Sequence, residues 1–188
     1  MANNTAIKLR PFRDYDEKDI INLFSLADDA HSLPIVKGTL VKMSGNGWRG
    51  SDELSMLGDV GSSYNNVTSQ RYGVAANVAV NTVGARPLGM MLHDVRETDE
   101  NGELLKFNPR KAAEMEAVLS GQAVPVVTRG IFLYSGSGLA AQTPVAGTVL
   151  YAHGNGDIET GDNSSAVAVG RALGAKDSSD GVLIKLEL

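Results

Sequence analysis

Short runs of apolar and β-branched residues, separated by clusters of Gly, Asn, Asp and Ser, recur along the chain from about residue 34 to its end. Several of these runs alternate apolar and polar positions, as a strand with one buried face does. After residue 122 the runs follow one another without the helix between each pair that a parallel sheet requires. The pattern therefore predicts a mainly β protein with a small antiparallel β-barrel or sandwich. The predicted strands lie at about 35–43, 72–80, 87–95, 123–134, 147–152, 166–173 and 181–188.

One segment carries the signals of a helix. Asn108 is a suitable N-cap, Pro109 fits the first helical position, and Gly121 is a typical terminator. The apolar positions fall on one face at helical spacing, with charged residues on the other. These apolar positions are Ala112, Met115, Val118 and Leu119. The sequence therefore predicts one short helix at about 109–120.

The first residues form a short alternating patch, in which Ile7 and Leu9 precede Phe12 and polar or basic residues stand between them. This alternation predicts an extended arm or an edge strand. Residues 19–27, which include Phe24, suit a short amphipathic helix and a strand equally well. We expect these apolar side chains to contact another protein.

A long segment dense in Gly, Ser, Asn and Asp follows the first predicted strand. Loops of such length in compact domains are usually functional or ordered by a partner. Trp48 and Arg49 lie in this segment, and both residue types are enriched at interface hot spots. We therefore add them to the predicted protein contacts. The chain divides into an extended N-terminal arm at 1–43, a long loop at 44–66 and a β-rich core domain at 67–188.

Composition narrows the choice of partner. The 188 residues include no Cys, which excludes disulfides and thiolate metal sites. A formal net charge of −5 argues against a general nucleic-acid binder, because phosphate contacts need a basic face. The N-terminal residues lack the apolar stretch of a secretory signal, and no apolar run is long enough to cross a bilayer. We expect no nucleic-acid partner, no membrane association and synthesis in the cytoplasm.

The histidines give no strong catalytic or metal pattern. His93 and Asp94 are neighbours in a predicted strand, so their side chains are expected to point to opposite faces. No G-x-S-x-G nucleophile motif lies nearby. His31 and His153 are far apart, and neither has a further ligand at helical metal-site spacing.

The oxygen-rich and glycine-rich segments are also weak candidates for chemistry. Residues 157–162 lack the residue order of a calcium loop, so they predict a hairpin turn. The patterns at 45–50 and 136–138 lack the lysine of a phosphate loop. The sequence therefore predicts no catalytic residue, no metal and no cofactor, and a protein that is not an enzyme.

The C-terminal half shows a distinctive succession of strands and turns. It contains Ala123-Val-Pro-Val-Val-Thr-Arg-Gly130, then Gly147-Thr-Val-Leu-Tyr-Ala, then Val169-Gly-Arg-Ala-Leu173 and finally Val182-Leu-Ile-Lys-Leu186. Over about residues 85–188 this succession resembles the capsid decoration, or cement, proteins of tailed bacteriophages. The shared features are strand and turn types, and they include no catalytic signature.

The resemblance implies a virion structural protein that binds the outer surface of the phage head lattice and stabilises the capsid. Its partner would be the major capsid protein, and it would form a homotrimer or another lattice-assembled homo-oligomer. Its location would be the outer capsid surface of the virion, assembled in the host cytoplasm. The N-terminal arm at 1–43 would reach a neighbouring subunit.

Two other classes fit the same composition. A tail, head-completion or fibre-like component would share the β-rich pattern, and copy number separates it from a decoration protein. A small hydrolase would need two carboxylates across a cleft. Glu97, Asp99 and Glu100 form the one dense acidic group near predicted strands, but they precede an Asn-Gly turn at 101–102, which favours a solvated surface.

Overall fold

A computed structural model describes residues 9–11, 16–26, 33–44, 78–161 and 166–188. Strands dominate these residues, which confirms the predicted mainly β class. The strands are β1 (Leu9–Pro11), β2 (Ile20–Ile21), β3 (Leu40–Met43), β4 (Val78–Val80), β5 (Gly89–Met91), β6 (Asp94–Val95), β7 (Ala117–Val118), β8 (Val126–Val127), β9 (Arg129–Tyr134), β10 (Val149–Ala152), β11 (Ile158–Glu159), β12 (Ala168–Ala172) and β13 (Val182–Glu187). The α-helices are α1 (Pro109–Glu114) and α2 (Ser137–Ala140).

The C-terminal strands form an antiparallel six-stranded sheet in the order β1-β9-β13-β12-β10-β11. Its longest pairing joins β9 to β13, from Arg129 opposite Glu187 to Tyr134 opposite Val182. The strands bury their alternate side chains against one face, as the period of two requires. Helix α2 follows β9 and packs against the edge strand β11.

A five-stranded antiparallel sheet, ordered β2-β8-β5-β3-β4, packs onto the six-stranded sheet and is buried on both of its faces. In each central strand, one residue joins the core between the two sheets and its neighbour joins a second core on the opposite face. The pairs that divide in this way are Leu40 and Val41, Met90 and Met91, and Val127 and Val126. Burial on both faces explains why these strands are almost continuously apolar.

The predicted helix at 109–120 is too long. Pro109 does occupy the first turn, but α1 ends at Glu114 and Glu116 takes a left-handed φ of 50°. The chain then enters β7, which pairs in parallel with β6. Val118 therefore lies in a strand, although the helical spacing predicted it on the apolar face of a helix. The short helix α2 was not predicted.

The described parts of residues 1–43 supply strands to both sheets. Strand β1 is an edge strand on β9, β2 pairs with β8, and β3 is paired on both sides within the five-stranded sheet. The predicted loop at 44–66 lies outside the described residues apart from Ser44.

Candidate interaction surfaces

The structure places two of the six predicted contact residues in the protein's own core. Leu9 is 2% exposed and belongs to the core between the sheets, and Phe24 is 8% exposed in the second core. Both side chains therefore offer little area to a partner. The other four lie outside the described residues, so their contact role stays a prediction. These four are Ile7, Phe12, Trp48 and Arg49.

A cavity of about 540 Å³ lies beside α1, within the size range of small-molecule pockets. Its lining is mainly apolar and includes Leu105, Pro109, Ala113 and Leu119. The lining also includes the polar groups Lys106, His93 and Gln122, but no carboxylate. We call residues 104–122 together with His93 the α1 surface.

Phe107 is the most exposed large apolar side chain among the described residues, at 77%. It ends a 3-10 turn over Leu105–Phe107, so it directly follows two residues that line the cavity but does not line it itself. The Lys106 ammonium lies 4.9 Å from the centre of its ring, within cation–π range. Leu104, also on the α1 surface, is exposed as well.

Charged groups surround His93 where β6 and β7 meet. Burial lowers the pKa of His93, Lys37 adds to this effect, and Glu116 and Asp94 oppose it. The Lys37 ammonium donates to Glu116 at 2.5 Å, and this hydrogen bond lowers the pKa of Glu116. Asp94 accepts the backbone N–H of Lys37 at 2.8 Å and lies 3.9 Å from the Arg96 guanidinium. Asp94 is thus engaged with Lys37 and Arg96, as expected if it does not orient the imidazole.

Asp99 ties the turn at 101–102 to α1. Its carboxylate, 1% exposed, accepts the backbone N–H groups of Asn101 at 2.8 Å and Glu103 at 2.7 Å and pairs with the Lys111 ammonium. The hydrogen bond from Lys111 is the main reason why the pKa of Asp99 is lowered. A general acid of a glycosidase needs a raised pKa, so Asp99 is not suited to that role.

A second exposed apolar surface lies where β12 ends and β10 and β13 begin, and we call it the sheet end. Val145 is 62% exposed and Leu173 is 41% exposed. The strands hold both segments in place, because Gly147 N–H donates to Ala172 O at 2.8 Å and Leu173 N–H donates to Leu183 O at 2.7 Å. Strand β1 begins at the same end, since Leu9 pairs with the last residue of β9.

The structure describes some of the remaining candidates from the sequence. No group of three or more potential ligands that could hold a metal ion occurs within the described residues. His153 lies 3.7 Å from the carboxylate of Glu159 across the β10–β11 hairpin. This hairpin turns at 153–157, so the turn predicted at 157–162 is misplaced, because the buried Ile158 pairs with Ala152 as part of β11. His31 and the pattern at 45–50 lie outside the described residues. The pattern at 136–138 leads into α2, a helix of only four residues.

Within the described part of the chain, no helix is long and apolar enough to cross a membrane.

These features define a mainly β protein whose exposed apolar groups include the α1 surface and the sheet end. Comparisons with models of known protein families, with curated proteins and with solved structures find no match.

Proposed function

We propose that this protein is a virion structural protein that binds the outer surface of a phage head lattice and stabilises the capsid. The major capsid protein is its proposed partner. Residues 123–188, which carry most of the resemblance to decoration proteins, supply five of the six strands of one antiparallel sheet, and this observation carries the proposal.

The sheet end is the proposed lattice contact. It combines two exposed aliphatic side chains, Val145 and Leu173, with the point at which residues 1–8 join β1. Contacts of this small size are individually weak, but a lattice presents them repeatedly, so avidity can hold an oligomer in place.

Heads that lack the protein provide the direct test. Purified protein is added to such heads, and the bound amount is measured by cosedimentation and quantitative mass spectrometry. We expect saturable binding at a copy number comparable with that of the major capsid protein. We also expect the decorated heads to retain DNA at a higher temperature. Binding of a few copies per head would favour a tail or head-completion component. No binding would contradict both the decoration role and the tail or head-completion role.

Substitutions at the sheet end test the surface itself. Val145→Asp and Leu173→Asp should each weaken head binding by at least about tenfold, because burying one aliphatic side chain contributes about 1.5–3 kcal/mol. Val83→Asp is the matched control, since Val83 is 56% exposed in the loop between β4 and β5. Equal loss of binding in all three variants would show that the sheet end is not a specific contact.

A further inference from the structure

We propose that the solvent-facing side of the six-stranded sheet binds an acidic segment of a partner protein through Arg129, Arg171 and Lys185. We call these three residues, together with Glu187, the basic face. The inference deepens the proposed function and rests on it only for the identity of the partner, the major capsid protein.

The strand register places the four side chains on one side of the sheet. Lys185 of β13 lies opposite Arg171 of β12, and Glu187 of β13 lies opposite Arg129 of β9. Directly opposed residues in antiparallel strands point to the same side. That side faces away from the core, because Leu186, between Lys185 and Glu187, is fully buried in it. All four basic-face residues are exposed.

The basic face carries more positive charge than its own carboxylate balances. The hydrogen bond from Lys185 is the main reason why the pKa of Glu187 is lowered, and Arg171 and Arg129 add to the effect. Within the described ranges, no salt bridge includes Arg129 or Arg171. Two guanidinium groups are therefore available to an external anion.

The opposition of Arg171 and Lys185 does not serve the stability of the sheet. Like charges that lie directly opposite each other on neighbouring strands are destabilising. A local rule of stability that is broken in this way is typical of a functional position. The pair therefore points to a bound anion that offsets the repulsion.

The surroundings of this pair favour a protein as the partner. Arginine binds a carboxylate through two parallel hydrogen bonds. The half-buried Ile131 and Val149 lie opposite Lys185 and Arg171 on the outer strands, so aliphatic groups flank the cations. Acidic and aliphatic side chains of a protein segment match this mixture. A continuous phosphate backbone matches it less well, because Glu187 and the net charge of −5 repel it.

The basic face adjoins the sheet end. Leu173 follows Arg171 by two residues, and its N–H still donates to Leu183 O of β13. The alternation of a strand therefore places the side chains of Leu173 and Arg171 on the same side. A capsid contact at the sheet end would extend over Arg171, where it needs an acidic group.

The first experiment titrates the full chain with a hexaglutamate peptide and follows the backbone amide signals by NMR. We expect saturable shifts at Arg129, Arg171 and Lys185 that weaken as salt is raised, because exposed charges are screened. Arg171→Glu should weaken peptide binding at least about tenfold, since it replaces an attraction by a repulsion. The matched control Arg86→Glu makes the same change of charge in the loop between β4 and β5 and should bind as the unmodified protein does.

Thermal unfolding separates a loss of binding from a loss of folding. Arg171→Glu places a carboxylate opposite Lys185, so its unfolding temperature should stay unchanged or rise by about 1–3 °C. A residue with only a structural role would show the opposite shift. If Arg171→Glu fails to fold, Arg129→Gln removes the other guanidinium and should weaken peptide binding at least about threefold.

Four results would overturn the proposal. The first two are a full chain that does not bind hexaglutamate at low salt, and equal binding by Arg171→Glu and Arg86→Glu. The third is tighter binding of an oligothymidylate than of hexaglutamate at the same salt concentration. The fourth is self-association that Arg171→Glu abolishes, since the acidic segment would then belong to a second copy of the chain.

Cosedimentation with phage heads tests the identity of the partner separately. Loss of head binding by Arg171→Glu, with full binding by Arg86→Glu, would support the major capsid protein as the partner. A full chain that binds hexaglutamate but no heads would contradict the proposed function and support the basic face. Full head binding by Arg171→Glu would overturn the capsid protein as the partner of the basic face, and the proposed function would stand.

Discussion

His93 shows how one residue combines burial with a set of opposing charges. It lines the cavity beside α1, and burial outweighs the attraction of Glu116 and Asp94, so its pKa is lowered. A histidine that is harder to protonate in the folded protein than in the unfolded chain makes folding dependent on pH. The unfolded chain binds more protons below the ordinary pKa of about 6.5, so stability falls as the solution becomes more acidic through that value.

Replacing this residue should therefore change the pH profile of stability. We expect the His93→Gln variant to lose less stability than the unmodified protein between about pH 7 and pH 5, because glutamine does not take up a proton. Urea unfolding at a series of pH values measures the difference. An NMR titration of the His93 imidazole provides an independent check, and a pKa at or above about 6.5 would contradict the expectation.

Single residues were the hardest features to predict from the sequence. Leu9 and Phe24 were proposed as contacts because they are apolar and lie near the chain's start, yet both are buried in the cores. Apolar character alone does not distinguish a core residue from an interface residue. The exposure of Phe107 was not predicted, because it depends on how the 3-10 turn packs against α1.

At the scale of single elements, β12 depends on a glycine that lets two strands approach closely. A Cβ atom at Gly170 would lie 2.0 Å from the backbone oxygen of Lys185 on β13. The pairing of β12 with β10 also shifts register beside this residue, between Leu150 and Tyr151. A side chain at position 170 would therefore push against backbone atoms that the sheet holds in place.

Gly170→Ala should destabilise the protein by about 2 kcal/mol or more, as overpacking against a fixed neighbour does. Gly174→Ala is the matched control, because a Cβ atom there meets nothing within 4 Å. That substitution should be neutral or stabilise by about 0.4–1 kcal/mol through the unfolded state. Urea unfolding of the two variants under identical conditions measures both effects. Equal free energies of unfolding for the two variants would show that β12 and β13 can move apart without a loss of stability.

The sequence predicted whether an element is a helix or a strand more reliably than it predicted the residue at which the element ends. After residue 122, all strands except β11 lie within the predicted runs, because alternation and turn residues mark them clearly. Strand β11 lies in the segment that was predicted to be a turn. The end of α1 was missed, since Val118 fits a helical face but pairs in parallel with Val95 of β6. Such pairing joins residues more than twenty positions apart, and local spacing carries no information about it.

The whole molecule depends on strands from both ends of the chain. The sequence predicted a barrel or sandwich, but the order of strands in each sheet follows from long-range pairing that it did not show. Strand β1 pairs with β9, and β8, immediately before β9, pairs with β2. The first described segments are therefore integral to the two sheets, whatever further contacts residues 1–8 make.

Residues 1–15 combine the structural strand β1 with the proposed lattice anchor at residues 1–8. Deleting all of them would therefore not show which of the two matters. Such a deletion removes β1 and the buried side chain of Leu9, so we expect it to lower the unfolding temperature by roughly 5–15 °C. Leu9→Ala in the full chain should reproduce much of that loss.

Deleting residues 1–8 keeps β1 and should leave the unfolding temperature unchanged. If these residues also anchor the protein, the same deletion should abolish binding to heads. Thermal unfolding and cosedimentation of the three variants measure the two roles, and a shorter deletion that binds heads fully would restrict the lattice contact to the sheet end.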